Sequence, residues 1–137
     1  MKNKIMLLRA KEYASKIEGI SEYHLSLMSD DKLCLVREKI SDFTSCSIDE
    51  KTFRHHHPIN ADSFSVEISA MWPDEQHCSL LFDGYVAISF NVTERKKFIK
   101  SIFHINRTYD TALIFNNQLI YISDEEYGVD VYNALYR

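Results

Sequence analysis

The chain has 137 residues, of which 45% are hydrophobic and 26% charged, and its formal net charge is −4 at pH 7. This length and balance are typical of one globular domain and exclude a disordered, highly charged chain. Residues 1–20 hold five basic and two acidic side chains, a local charge of +3, so residues 21–137 sum to −7. An acidic body repels phosphates, so we expect no nucleic-acid partner and consider a basic protein partner compatible.

The first predicted element is a helix over residues 4–18. Its apolar residues recur at helical spacings of three and four: Met6, Ala10, Tyr13 and Ile17. This period buries one stripe of a helix against a core, and Gly19 is a suitable residue to follow its end. The apolar run Ile5–Leu8 is shorter than the roughly 7 to 15 residues of an export signal, so we expect a cytoplasmic protein without a membrane partner.

Residues 21–58 give a mixed pattern. Alternation over residues 23–27 favours a short strand, and the spacing of apolar residues over 33–43 favours a helix that begins near Ser29 or Asp30. Capping-box spacing further along, between Ser47 and Glu50, predicts a short helical segment that ends at Phe53. Residues 55–58 are then predicted to form a loop.

From residue 63 the period changes to two, which predicts strands. Residues 63–70, 78–82 and 85–92 form a predicted three-stranded meander. The last two strands are joined by Asp83-Gly84, a dipeptide that suits a type I′ turn. An amphipathic helix capped by Thr93 follows, through residue 105.

The C-terminal part predicts a hairpin and a last helix. The hairpin covers residues 111–122, and Ser123 with Glu126 gives a second capping-box spacing. The apolar stripe of the last helix would consist of Tyr127, Val131 and Leu135. Together the elements predict a single α+β domain over residues 1–137. Its antiparallel sheet, a three-stranded meander plus a C-terminal hairpin, would pack against helices on one side.

Histidines are the strongest candidates for metal-binding or catalytic residues. In an extended chain His55 and His57 would lie on the same side, and His77 could add a third ligand for a metal ion. Spacings typical of zinc sites, such as CxxC, are absent from the sequence, and it contains no nucleotide-binding glycine motif and no nucleophile elbow. We therefore expect no catalytic residues, no cofactor and no metal, with these three histidines as weak metal candidates.

Cysteines and the basic helix are expected to serve structure. Cys34, Cys46 and Cys78 show no paired spacing, so we interpret them as reduced thiols in structural positions. The basic residues of the helix over 93–105 are interpreted as a solvated face, because they lack an interleaved aromatic platform.

The C-terminal segment combines aromatic and acidic residues. Tyrosine offers a large contact area at low entropic cost, and carboxylates steer a basic partner. We predict a partner-binding surface on the residues Tyr121, Asp124, Glu125, Glu126, Tyr127, Asp130, Tyr132 and Tyr136.

These features favour a non-enzymatic protein-binding module. The size and acidity are similar to those of bacterial immunity proteins, which implies a cognate toxin, nuclease-like and basic, whose active surface the protein would mask. The element order, with residues 98–106 and the hairpin over 111–122, resembles class I type III secretion chaperones, acidic homodimers that hold an effector in extended form. A homodimer is therefore compatible with the sequence. The third hypothesis is a small histidine-dependent hydrolase or metal-binding enzyme organised around His55, His57 and His77.

Overall fold

The computed structural model describes residues 2–45, 53–56, 58–82, 86–106, 111–124 and 127–135. In these residues the helices are α1 (Lys2–Ala14), α2 (Asp30–Ser45), α3 (Ala61–Met71) and α4 (Arg95–Asn106). The strands are β1 (His24–Leu27), β2 (Phe53–His56), β3 (His77–Phe82), β4 (Val86–Asn91), β5 (Thr111–Ile114), β6 (Gln118–Asp124) and β7 (Gly128–Leu135). None of the helices formed by these residues is both long and apolar enough to cross a membrane.

The seven strands form one antiparallel sheet in the order β1-β4-β3-β5-β6-β7-β2. Three hairpins, β3-β4, β5-β6 and β6-β7, supply its centre, and the central pairing of β3 with β5 is short. The two edges are the four-residue strands β1 and β2. Short edge strands offer little template for unwanted pairing with another chain.

The larger core lies between one face of the sheet and three helices. Its largest fully buried side chains are Phe64 of α3, Phe90 of β4 and Phe98 of α4. Phe98 lies 5.2 Å from Phe90 between ring centroids. Tyr13 of α1 contacts Phe82 at the same centroid distance, 5.2 Å, at the far end of β3. The helices α1, α3 and α4 therefore share one side of the sheet.

Helix α2 lies on the opposite face. Its fully buried Val36 packs in a smaller cluster with Ala112, Ile114 and Tyr132. Leu113, between two of these residues, belongs instead to the larger core, as the alternation of side chains along a strand requires. The predicted α+β class with an antiparallel sheet is confirmed, and three of the four helices in the described residues lie on one side.

Residues 63–70 belong to α3, so the predicted first strand of the meander is wrong. Asn60 caps this helix, because its side-chain oxygen accepts a backbone hydrogen bond at 3.0 Å. Phe64 and Ile68 are fully buried, whereas Val66 is 49% exposed. A spacing of four places two residues on the same side of a helix and of a strand alike, so only the exposure of the residue between them separates the two structures.

The predicted C-terminal helix is also wrong, since this segment forms β7. The expected capping residue Ser123 lies inside β6 and pairs with Asp130 of β7. Val129 and Val131 are fully buried in the larger core, while Tyr132 packs on the α2 face. This alternation with β-branched residues is typical of a strand.

The other predicted elements are confirmed within a few residues. They are the first helix, the short strand and helix that follow it, the hairpin strands of β3 and β4, the helix α4 and the β5-β6 hairpin. The predicted Asp83-Gly84 turn and the helical segment from Ser47 lie outside the described residues, and Phe53 begins strand β2.

Candidate functional site

The predicted partner surface lies at the β6-β7 end of the sheet. Strand β6 ends at Asp124, which is partly exposed, and Tyr127 in the connection to β7 is 78% exposed. Tyr127 is the most exposed of the large hydrophobic residues that the structure describes. Glu125, Glu126 and Tyr136 lie outside the described residues.

Three of the predicted contact residues are packed against the sheet instead. Tyr121 and Tyr132 stand directly opposite each other on β6 and β7, with ring centroids 5.9 Å apart and an interplanar angle of 26°. Tyr132 is 5% exposed and Asp130 is 1% exposed. The two tyrosines pack in the smaller cluster beside Val36 of α2. Among the described residues of the predicted surface, Tyr127 is therefore exposed, and Asp124 and Tyr121 are partly exposed.

The predicted loop around the histidines is partly a strand. His55 and His56 lie in β2, where they pair with Val129 and Gly128, and His57 lies outside the described residues. His77 begins β3 opposite Asn91 and is exposed. In the described part of the chain, no group of three or more His, Cys, Asp or Glu side chains is placed to hold a metal ion.

The two described cysteines have opposite environments. Cys78 is fully buried in the larger core, and its burial raises the pKa of the thiol far above its usual range. Cys34 of α2 is exposed, and Cys46 lies outside the described residues. Cys78 therefore contributes to the packing of the larger core.

A site that the sequence did not predict lies at the beginning of α4. The carbonyl oxygen of Gly19, just after α1, accepts hydrogen bonds from the Thr93 amide at 2.8 Å, the Glu94 amide at 3.1 Å and the Thr93 hydroxyl at 3.0 Å. Gly19 has a φ of +73°, a conformation that favours glycine. One carbonyl thus fixes the chain at the point where α4 starts.

A second contact joins the segment after α1 to α4, about two turns further along that helix. The Ser101 hydroxyl accepts a hydrogen bond from the Glu18 amide at 3.1 Å and donates one to the Phe98 carbonyl at 2.8 Å. Ser101 is 2% exposed, so its hydroxyl satisfies backbone groups inside the protein. The start of α4 is therefore held by the backbone that follows α1.

Beside this junction is a cavity of about 580 Å³. Its wall is formed by Ser69 of α3, Gln76, Val92 and residues 93–97. Three cationic side chains, Arg95, Lys96 and Lys97, belong to this wall and are exposed. The expected solvated basic face is thus in part the wall of a cavity.

The cationic side chains have different local partners. The Arg95 guanidinium lies 5.8 Å from the centre of the Trp72 ring, which favours a cation–π contact. Lys97 Nζ lies 3.8 Å from a Glu94 carboxylate oxygen. Further along α4, Lys100 pairs with Asp62 of α3 and lowers the pKa of that carboxyl by a hydrogen bond and by its charge. Lys96 has no ion-pair partner among the residues that the structure describes.

Comparisons with protein-family models, curated proteins and solved structures find no match to this chain. Function is therefore inferred from the exposed Tyr127 before β7 and from the cavity at the start of α4.

Proposed function

We propose that this protein is a non-enzymatic binding module of the immunity or antitoxin type. It would neutralise a basic, nuclease-like toxin by covering the active surface of that toxin. The supporting observation is Tyr127, which is 78% exposed next to the acidic end of β6. The net charge of −4 supports the choice of a basic partner.

The chemistry of this surface suits a protein interface. A tyrosine buries a large apolar area on contact, has few rotatable bonds and keeps a hydroxyl for a hydrogen bond. Carboxylates beside it raise the rate of encounter with a cationic surface and fix its orientation. Asp124 and, in the sequence that follows it, Glu125 and Glu126 supply such charges. Blockade of a toxin in this way is steric and electrostatic and needs no catalytic group.

The two other functions expected from the sequence have less support. The element order that resembles class I secretion chaperones required a strand over residues 63–70 and a C-terminal helix, whereas these segments are α3 and β7. For a histidine-dependent enzyme, His55 lies within the paired edge strand β2, whereas His77 lies on β3, and the strands β5, β6 and β7 separate the two in the sheet. Neither function gains a specific supporting contact.

The test begins with capture of the partner from the native cell and its identification by mass spectrometry. With the purified partner, Tyr127→Ala should weaken binding by tenfold or more, as roughly expected for a hot-spot aromatic residue. Leu8→Ala is the matched control, because Leu8 is 60% exposed on α1, which contacts β1 and β4 near the other end of the sheet, and its truncation should leave affinity unchanged. Circular dichroism verifies that both variants are folded.

Charge and activity measurements complete the test. Asp124→Asn should lower the association rate, and added salt should reduce the difference from the wild type. The partner's enzymatic activity should fall in proportion to the amount of this protein until a stoichiometric complex forms. Capture of an unfolded effector segment would favour the chaperone function, and equal affinity of the wild type and Tyr127→Ala would refute the proposed surface.

A further inference from the structure

The cavity at the start of α4 carries an inference independent of the partner surface. We propose that it binds the phosphate group of a small anionic ligand, with the first turn of α4 and its cationic side chains as the phosphate-binding elements. The reasons are the backbone donors and the charges of the cavity wall, together with the buried hydroxyl of Ser69, which belongs to the same wall.

Backbone amides provide the first donors. The amide of Phe98 forms the first hydrogen bond of α4, to the Glu94 carbonyl at 3.0 Å. The preceding amides, those of Arg95, Lys96 and Lys97, come before that bond and have no acceptor among the described residues. All three residues line the cavity. Free amides at the positive end of a helix dipole favour an anion.

Cationic side chains supply the charge that a phosphate needs. Lys96 is free of an ion-pair partner in the described residues, so its ammonium group is available to an anion. The guanidinium of Arg95 lies on Trp72, which limits its motion and lowers the entropic cost of a bidentate contact. Lys97 forms an ion pair with Glu94, and that carboxylate offsets part of the positive charge of the cavity.

Unsatisfied buried groups provide a second, independent indication. In the described residues, the two buried side-chain polar atoms without a hydrogen-bond partner are Ser69 Oγ and Trp72 Nε1. Ser69 lines the cavity, and Trp72, which is 7% exposed, lies against the Arg95 guanidinium of the cavity wall. A buried polar atom without a partner is costly, and a ligand that accepts a hydrogen bond would remove that cost.

The size of the cavity indicates what accompanies the phosphate. A volume of about 580 Å³ lies within the range of small-molecule sites and exceeds that of a phosphate ion several-fold. Val92 supplies an apolar side chain in the cavity wall. The preferred ligand class is therefore a small organic phosphate rather than the free ion.

Titration with inorganic phosphate and with pyrophosphate tests the proposal. Ionic strength is held constant with sodium chloride, and binding is followed by the fluorescence of Trp72, the single tryptophan of the chain. The amide resonances of residues 95–97 report contact with the backbone. We expect saturable binding, tighter for pyrophosphate, with the largest shifts at these amides.

Variants distinguish binding in the cavity from nonspecific attraction of an anion to positive side chains. Lys96→Gln should weaken binding about tenfold, the typical effect of losing a charged hydrogen bond. Lys11→Gln on α1 makes the same charge change at an exposed position outside the cavity and should have no effect. Ser69→Ala should weaken binding without lowering stability, since its hydroxyl has no partner in the free protein. Absence of saturable binding, or equal weakening by Lys96→Gln and Lys11→Gln, would overturn the proposal.

Discussion

Replacement of Gly19 by alanine is the sharpest test of how α1 fixes the start of α4. A Cβ at residue 19 would lie 2.5 Å from the Glu94 carbonyl oxygen and 3.0 Å from the Phe98 amide nitrogen. These two atoms form the first hydrogen bond of α4. The added methyl group therefore contacts backbone atoms that cannot rotate away, and α4 has to move.

The expected loss has two parts. A left-handed conformation, here with a φ of +73°, costs a residue with a Cβ about 1–2 kcal/mol. Forcing a carbon into packed surroundings costs about 1–3 kcal/mol more. We expect Gly19→Ala to lower the free energy of unfolding by about 3 kcal/mol, a large fraction of the 5–15 kcal/mol typical of a domain. The melting temperature should fall by about 10 °C.

Urea unfolding followed by Trp72 fluorescence and by circular dichroism measures this loss. Gly19→Asn is the informative companion, because asparagine tolerates the left-handed conformation but also carries a Cβ. If the contact with Glu94 dominates, both variants lose similar stability; if backbone conformation dominates, the asparagine variant recovers most of it. A loss below about 1 kcal/mol for Gly19→Ala would refute the reasoning, since the conformational part alone predicts more.

Two further predictions concern the cap of α3 and the cysteines. Asn60→Ala should lower the free energy of unfolding by about 1 kcal/mol and Asn60→Ser should restore most of it, because serine also caps helices; equal losses in urea unfolding would contradict the cap. In the native protein, a disulfide reagent should modify Cys34 far faster than Cys78, whose sulfur is buried and whose pKa is raised. Mass spectrometry of labelled peptides checks this, and rapid labelling of Cys78 would show that the core opens.

The sequence predicts the class of the fold because most elements have only one compatible period. In α1, spacings of three and four occur together, which no strand produces, and the two hairpins combine alternation with turn residues. In residues 63–70 and 127–135 apolar residues recur four apart, a spacing that places side chains on one side of a helix and of a strand alike. Tertiary contacts distinguish the helix from the strand: in α3, Val66 is left exposed to solvent, and β7 pairs along its length with β6.

The two candidate sites also differ in how far the sequence alone predicts them. Tyr127 belongs to a local cluster of aromatic and acidic residues, so composition alone indicates it, whereas the burial of Tyr132 and Asp130 depends on pairing with β6. The cavity at α4 is assembled from Ser69, Gln76 and residues 92–97, which lie apart in the sequence. The sequence shows a glycine at residue 19 and a helix-capping residue, Thr93, far along the chain. Only the folded structure shows that the Gly19 carbonyl accepts hydrogen bonds from Thr93.

The proposed acidic contact surface and the proposed phosphate site are compatible in one acidic protein. The field of the net charge and the groups that line the cavity act over different distances. Over the whole surface, the net charge of −4 would favour approach of the proposed basic partner and disfavour a nucleic acid. At physiological salt this field is screened over about 8 Å, so a small ligand at the start of α4 responds mainly to the groups around it. There the free amides and Lys96 outweigh the single carboxylate of Glu94, which Lys97 already pairs. A small phosphate ligand is therefore compatible with the same acidic body that disfavours a long polyanion.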